Sequence, residues 1–125
     1  MIAIDFGHLC FNHPSGEQNI LIVLASKNDY LSMDDFVNHA LNYLESNPDF
    51  CDAWNEMYKN RIYSPIDEQE KKWMKSRLDE MNQRISIAYE PVISAVYIIP
   101  PEWNNIAIGV ETKSEYIFYL WGTSA

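Results

Sequence analysis

Glycine is scarce in this chain, with four residues scattered along its length. The glycine-dependent signatures are absent with it. There is no GxGxxG, no P-loop and no GxSxG, so neither a phosphate-cradling loop nor a nucleophile elbow is encoded. Cysteine is scarcer, with Cys10 and Cys51 alone. Two are too few for a disulfide framework, and their apolar neighbours favour two buried thiols, with a single bridge as the open alternative. The longest apolar runs, such as Ile20 to Ala25, fall far short of the roughly 20 residues that span a bilayer. The opening MIAIDFGHL lacks the basic start and cleavage pattern of a signal peptide, which leads to the expectation of a cytoplasmic chain. Positive charge is the most consequential shortage. Nine Lys and Arg face eighteen acids, a net charge of −9. That balance argues against nonspecific nucleic-acid binding, which needs a basic footprint, and against an anionic membrane surface. It suits a basic protein partner, through steered association.

What is present reads as one ordinary globular domain spanning residues 1–125, with 47% hydrophobic and 22% charged residues. The acids are unevenly placed. From Ser32 to Tyr58 come Asp34, Asp35, Glu45, Asp49, Asp52 and Glu56 with no Lys or Arg, so this stretch carries −6. From Ser64 to Glu90 six acids meet five bases, leaving −1. Two thirds of the net charge therefore lies in one continuous segment, more concentrated than a uniformly solubilising surface requires.

Periodicity supplies the elements. Ile2 to Phe11 reads as a strand, NHPSGEQN as a turn, and Ile20 to Ala25 as a second strand in an antiparallel hairpin. Ser32 opens a helix, with Asp35 three residues on as a capping-box variant. Phe36, Val37, Ala40, Leu41 and Leu44 form its apolar face, and Pro48 ends it near Ser46 or Asn47. Asp49 can cap a second, shorter helix with Cys51, Trp54, Met57 and Tyr58 inside and Asp49, Asp52 and Glu56 as an outer stripe. Ser64, with Pro65 at the first helical position, is expected to start the longest helix, running to about Ala88. Its buried face is read as Ile66, Trp73, Met74, Leu78, Met81 and Ile85. After Pro91 the period changes to two, giving three strands around Val96, Ile108 and Phe118 as an antiparallel meander. The order β-β-α-α-α-β-β-β predicts an α+β domain, an antiparallel sheet with helices packed on one face. The N-terminal hairpin is expected to join the meander, because an isolated hairpin is marginal.

Sites for chemistry are few. HLCFNH places His8, Cys10 and His13 close together, but zinc would need a fourth ligand and no CxxC or HxxxH supplies one. No metal and no cofactor are expected. Cys10 as a nucleophile would sit in a strand interior, a poor place for an attacking thiol. Asp49, Asp52 and Glu56 lack the Gly turns of a cation loop and the Glu-x-x-His of a di-iron bundle. Catalysis is therefore not expected.

At the C-terminal end a family pattern emerges. Pro101-Glu102-Trp103-Asn104-Asn105, Ala107, Glu111-Thr112, Tyr116 and the closing Trp121-Gly122-Thr123-Ser124-Ala125 resemble immunity proteins of contact-dependent growth inhibition and related polymorphic toxin systems. The resemblance covers about 25 residues clearly and the rest by size, acidity and α+β pattern. It implies a small cytoplasmic protein that binds one cognate toxin domain, often a nuclease, and blocks it. A nuclease holds a polyanion, so its cleft is basic and an acidic inhibitor can plug it or cover an adjacent exosite. On that physical logic the partner-binding candidates are Asp49, Asp52 and Glu56, then Asp34, Asp35 and Glu45. Trp103 has two readings. It can anchor a partner, or, the favoured reading, cover the end of the core at a corner where Pro100 and Pro101 stop strand pairing and Asn104 and Asn105 satisfy the turn backbone. Another acidic inhibitor or adaptor, such as a phage-encoded one, is the alternative function, and a small-molecule enzyme the less favoured one.

Overall fold

The computed structural model describes residues 1–5, 18–46, 58–85 and 91–123. Six strands form one fully antiparallel open sheet in the order β1-β2-β6-β5-β4-β3. They are β1 (Ile2–Asp5), β2 (Gln18–Ser26), β3 (Ser64–Pro65), β4 (Ser94–Tyr97), β5 (Asn105–Glu111) and β6 (Glu115–Thr123). Two helices accompany them, α1 (Met33–Glu45) and α2 (Glu68–Ile85). The expected hairpin and meander are joined through β2 and β6, which pair along their whole length from Gln18↔Thr123 to Ser26↔Glu115.

The three central strands are apolar on both parities, and that decides the architecture. Val23 and Ala25 of β2, Phe118 and Leu120 of β6 and Ala107 of β5 cluster with Phe36, Val37, Ala40, Leu41 and Leu44 of α1. Ile20 and Ile22, Ile117, Tyr119 and Trp121, and Ile108 and Val110 cluster instead with Met74 and Leu78 of α2. Successive strand residues point to opposite faces, so the helices lie on opposite sides of the sheet. This corrects the expectation of helices on one face. A sheet covered on both sides needs near-continuous apolar strands, and β2, β5 and β6 supply them.

Local chemistry sets the helix starts. The Ser32 hydroxyl accepts from the Asp35 N–H at 3.1 Å, and the Asp35 carboxylate accepts from the Leu31 N–H at 2.9 Å. The Ser32 half of the expected cap is thus made, while the return bond reaches Leu31, one residue before the N-cap. The C-cap is Ser46, as the pattern predicts. The start of α2 differs from expectation. Ser64 and Pro65 pair with Tyr97 and Val96 as β3, an edge position where the missing proline N–H does no harm. Asp67 becomes the cap, its carboxylate accepting from the Gln69 and Glu70 N–H groups at 2.8 and 3.2 Å. The observed order is therefore β-β-α-β-α-β-β-β among the described residues. Most of the helix expected from Asp49 lies outside them; Tyr58 and Lys59 at its end are helical. Trp73, expected on the buried face of α2, is 52% exposed, while Met74 and Leu78 are buried.

Gly109 on β5 faces α1, where a Cβ would come within 3.0 Å of the Met33 sulfur. The absent side chain lets the first turn of α1 lie close on the sheet. At the same end of the sheet, Lys27 Nζ donates to Glu111 at 2.7 Å and to the Thr112 carbonyl at 3.1 Å, tying the 3-10 turn Lys27–Asp29 to the β5–β6 turn.

Candidate functional site

The helices on the two sides of the sheet differ in charge. α1 carries Asp34, Asp35 and Glu45 and no Lys or Arg. α2, on the other side, carries Lys71, Lys72, Lys75, Arg77 and Arg84 against Glu68, Glu70, Asp79 and Glu80. α1 is therefore acidic in its own sequence, whereas α2 carries both signs.

Arg61 reaches onto α1 from the segment that follows Tyr58. Its Nε donates to Asp34 at 2.9 Å, a terminal nitrogen lies 2.8 Å from the same carboxylate oxygen, and the guanidinium also donates to the Tyr58 carbonyl at 2.8 Å and to the Asn38 amide oxygen. Only 10% of the Arg61 side chain is exposed, against 55% of Asp34. Tyr63 completes the group by donating its hydroxyl to Asp34 at 2.6 Å. That hydrogen bond, with help from Arg61, holds the Asp34 carboxyl below its ordinary pKa. Partial burial, followed by the bond to Asp34, pushes the Tyr63 phenol up to about 12. This group pins the chain before β3 to the outer face of α1, with Asp34 as the shared acceptor.

The nominated acids separate by role. Asp49, Asp52 and Glu56 lie outside the described residues, as do His8, Cys10, His13 and Cys51. Asp34 is matched by Arg61. Asp35 caps α1 and faces His39 Nδ1 at 3.4 Å. Glu45 is exposed in the last turn of α1 and has no ion-pair partner among the described residues. An acid at that end opposes the helix dipole, at a cost of about 0.3–1 kcal/mol. Among the described residues, no three His, Cys, Asp or Glu side chains gather as a metal set, and no helix is long and apolar enough to cross a membrane.

The β4–β5 connection resolves the local role of Trp103. Glu102 and Asn105 exchange backbone hydrogen bonds at 3.0 and 3.3 Å, leaving Trp103 and Asn104 as a two-residue turn. Trp103 stands 72% exposed at the tip. The expectation that it covers the end of the core is thereby corrected. That end is filled from within the sheet, where Trp121 and Tyr119 are buried against the α2 side. The amide oxygens of Asn104 and Asn105 are buried without partners among the described residues, so these two acceptors do not serve the turn as expected.

Two features escaped the sequence reading. The Arg61–Asp34 contact joins residues 27 apart, and its one sequence signal is a pair of bases, Lys59 and Arg61, directly after the acid-only stretch. Leu31 is 95% exposed, because Tyr30 takes the place beside Phe36 with ring centroids 5.4 Å apart. A hydrophobic staple would have used the residue before the cap.

The fold defines an α+β protein with a six-stranded antiparallel sheet between two helices. Comparison with family models, curated proteins and solved structures gave no match.

Proposed function

We propose that this chain is an immunity protein. It binds a cognate toxin domain, of a basic nucleic-acid-cleaving kind, and neutralises it through an acidic surface, with no catalysis of its own. The observation that carries the reading is the placement of the acid-only segment. Its helical part, α1, covers one side of the sheet without a cation of its own, and the Arg61 that reaches it is already engaged by Asp34 and Asn38. The surface left to a partner is Glu45, the partly exposed Asp34 and Asp35, and, from the sequence, Asp49, Asp52 and Glu56 further along the same segment. A cleft built to hold a polyanion presents the complementary charge, which raises the association rate and disfavours other acidic proteins as competitors.

The experiment is a titration against the toxin domain encoded by the neighbouring upstream gene. Reversing Glu45, Asp49, Asp52 and Glu56 together to Lys is expected to weaken binding roughly 100-fold, at about 0.5–1 kcal/mol for each exposed pair. Unchanged affinity in that variant would remove the acidic surface from the account. A partner encoded instead in a phage early operon would favour an acidic phage inhibitor.

A further inference from the structure

We propose that the β4–β5 tip is the apolar anchor of the complex, with Trp103 entering a socket on a basic protein partner. The partner's identity rests on the function proposed above, whereas the anchor rests on separate observations. Trp103 is 72% exposed and contributes to neither core cluster. Large exposed apolar side chains are often incidental, but this one stands on a braced turn. Both backbone hydrogen bonds of the two-residue turn are made, and Pro100 and Pro101, both exposed, stiffen its approach. A backbone already fixed in its turn has less freedom to lose on docking. Tryptophan is also among the residues most enriched at binding hot spots.

The chemistry around the indole selects the occupant. Glu102 is exposed beside it and the chain carries −9, so a matching socket combines apolar walls with an Arg or Lys at its rim. One such cation can lie over the indole face and meet the Glu102 carboxylate. An anionic lipid surface offers the apolar half of this match but the wrong charge.

The test uses the full chain, its Trp103→Ala, Trp103→Phe and Glu102→Lys variants, and the upstream-encoded toxin domain in a calorimetric titration. Trp103→Ala is expected to weaken binding at least 30-fold while its thermal midpoint stays within about 2 °C of the parent, as suits an exposed residue. Trp103→Phe should recover most of the loss, and Glu102→Lys should weaken binding several-fold. If Trp103→Ala binds as the parent does, the anchor is overturned and the acidic-surface reading stands. If the parent itself does not bind, both are overturned. Vesicles of phosphatidylcholine with phosphatidylglycerol serve as the other arm. Binding to them that depends on Trp103 would overturn the protein socket in favour of a lipid surface.

Discussion

Replacing Tyr58 with Phe should make the protein more stable. Tyr58 is fully buried, with its ring edge-on to Phe118 at 5.8 Å between centroids. Its hydroxyl has no hydrogen-bond partner among the described residues, and burial raises its pKa well above the ordinary tyrosine value. A hydroxyl taken from water into such a place without a partner costs about 1–3 kcal/mol. Phenylalanine keeps the ring, its volume and the Phe118 contact, and removes only the stranded oxygen. Allowing for the small void that the oxygen leaves, the gain should be about 1–2 kcal/mol. For a chain of this length that corresponds to a rise in thermal midpoint of roughly 3–8 °C. Tyr58→Ala should do the opposite, losing about 3–5 kcal/mol with the ring. Urea unfolding followed by circular dichroism measures both. A loss of 1 kcal/mol or more in Tyr58→Phe would refute the reasoning, since it would mean that the hydroxyl is bonded in the folded protein.

The remaining predictions probe the architecture and the α1 network. Met74→Ala should destabilise by about 2–5 kcal/mol, as much as a core truncation on α1, because α2 seals its own face of the sheet; a loss below 1 kcal/mol in urea unfolding would contradict that. Gly109→Val should cost about 1–3 kcal/mol by overpacking against Met33, and Met33→Ala should recover part of the loss in a double-mutant cycle. The folded-state pKa of Asp34 is lowered, so its contribution to stability is complete above the unfolded value of about 3.9 and is lost as pH falls through the folded value. Asp34→Asn should therefore flatten the acid limb of the stability profile. In Tyr63→Phe the Asp34 carboxyl should titrate closer to its ordinary value by carbon-detected NMR, and an unmoved titration would count against the 2.6 Å bond.

How far the fold could be read depended on whether its signals were local. The cap at Ser32, the apolar face of α1 and the three C-terminal strands follow from neighbouring residues, and each appears where the pattern placed it. The number of covered sheet faces did not come through, although its signal was present. Ile20, Ile22 and Leu24 alternate with Leu21, Val23 and Ala25, so both parities are apolar. Such a run asks for cover on both sides, but the order of elements alone does not say on which face each helix packs. Ser64-Pro65 carried a helix-start signature that lost to long-range pairing with Val96 and Tyr97, where Asp67 could take over the cap. Helical spacing directs Trp73 inward, and the proline-bounded corner directs Trp103 onto the core end. Their exposure follows from position on the helix and at a turn apex, where hydrophobicity alone gives no direction. The Arg61 network was out of reach because it joins α1 to a segment 27 residues away.

In the proposed complex an acid-only segment, part of it held as α1 on one side of the sheet, gives the charge that a basic cleft would meet, and the exposed Trp103 tip gives the apolar contact. The measurement that tests this most directly is a titration of the purified chain into the nuclease assay of the upstream-encoded toxin domain. Cleavage should fall to nothing at a one-to-one ratio at low salt, and the affinity should weaken as salt screens the charges. Undiminished cleavage at a tenfold excess of this chain would contradict the account.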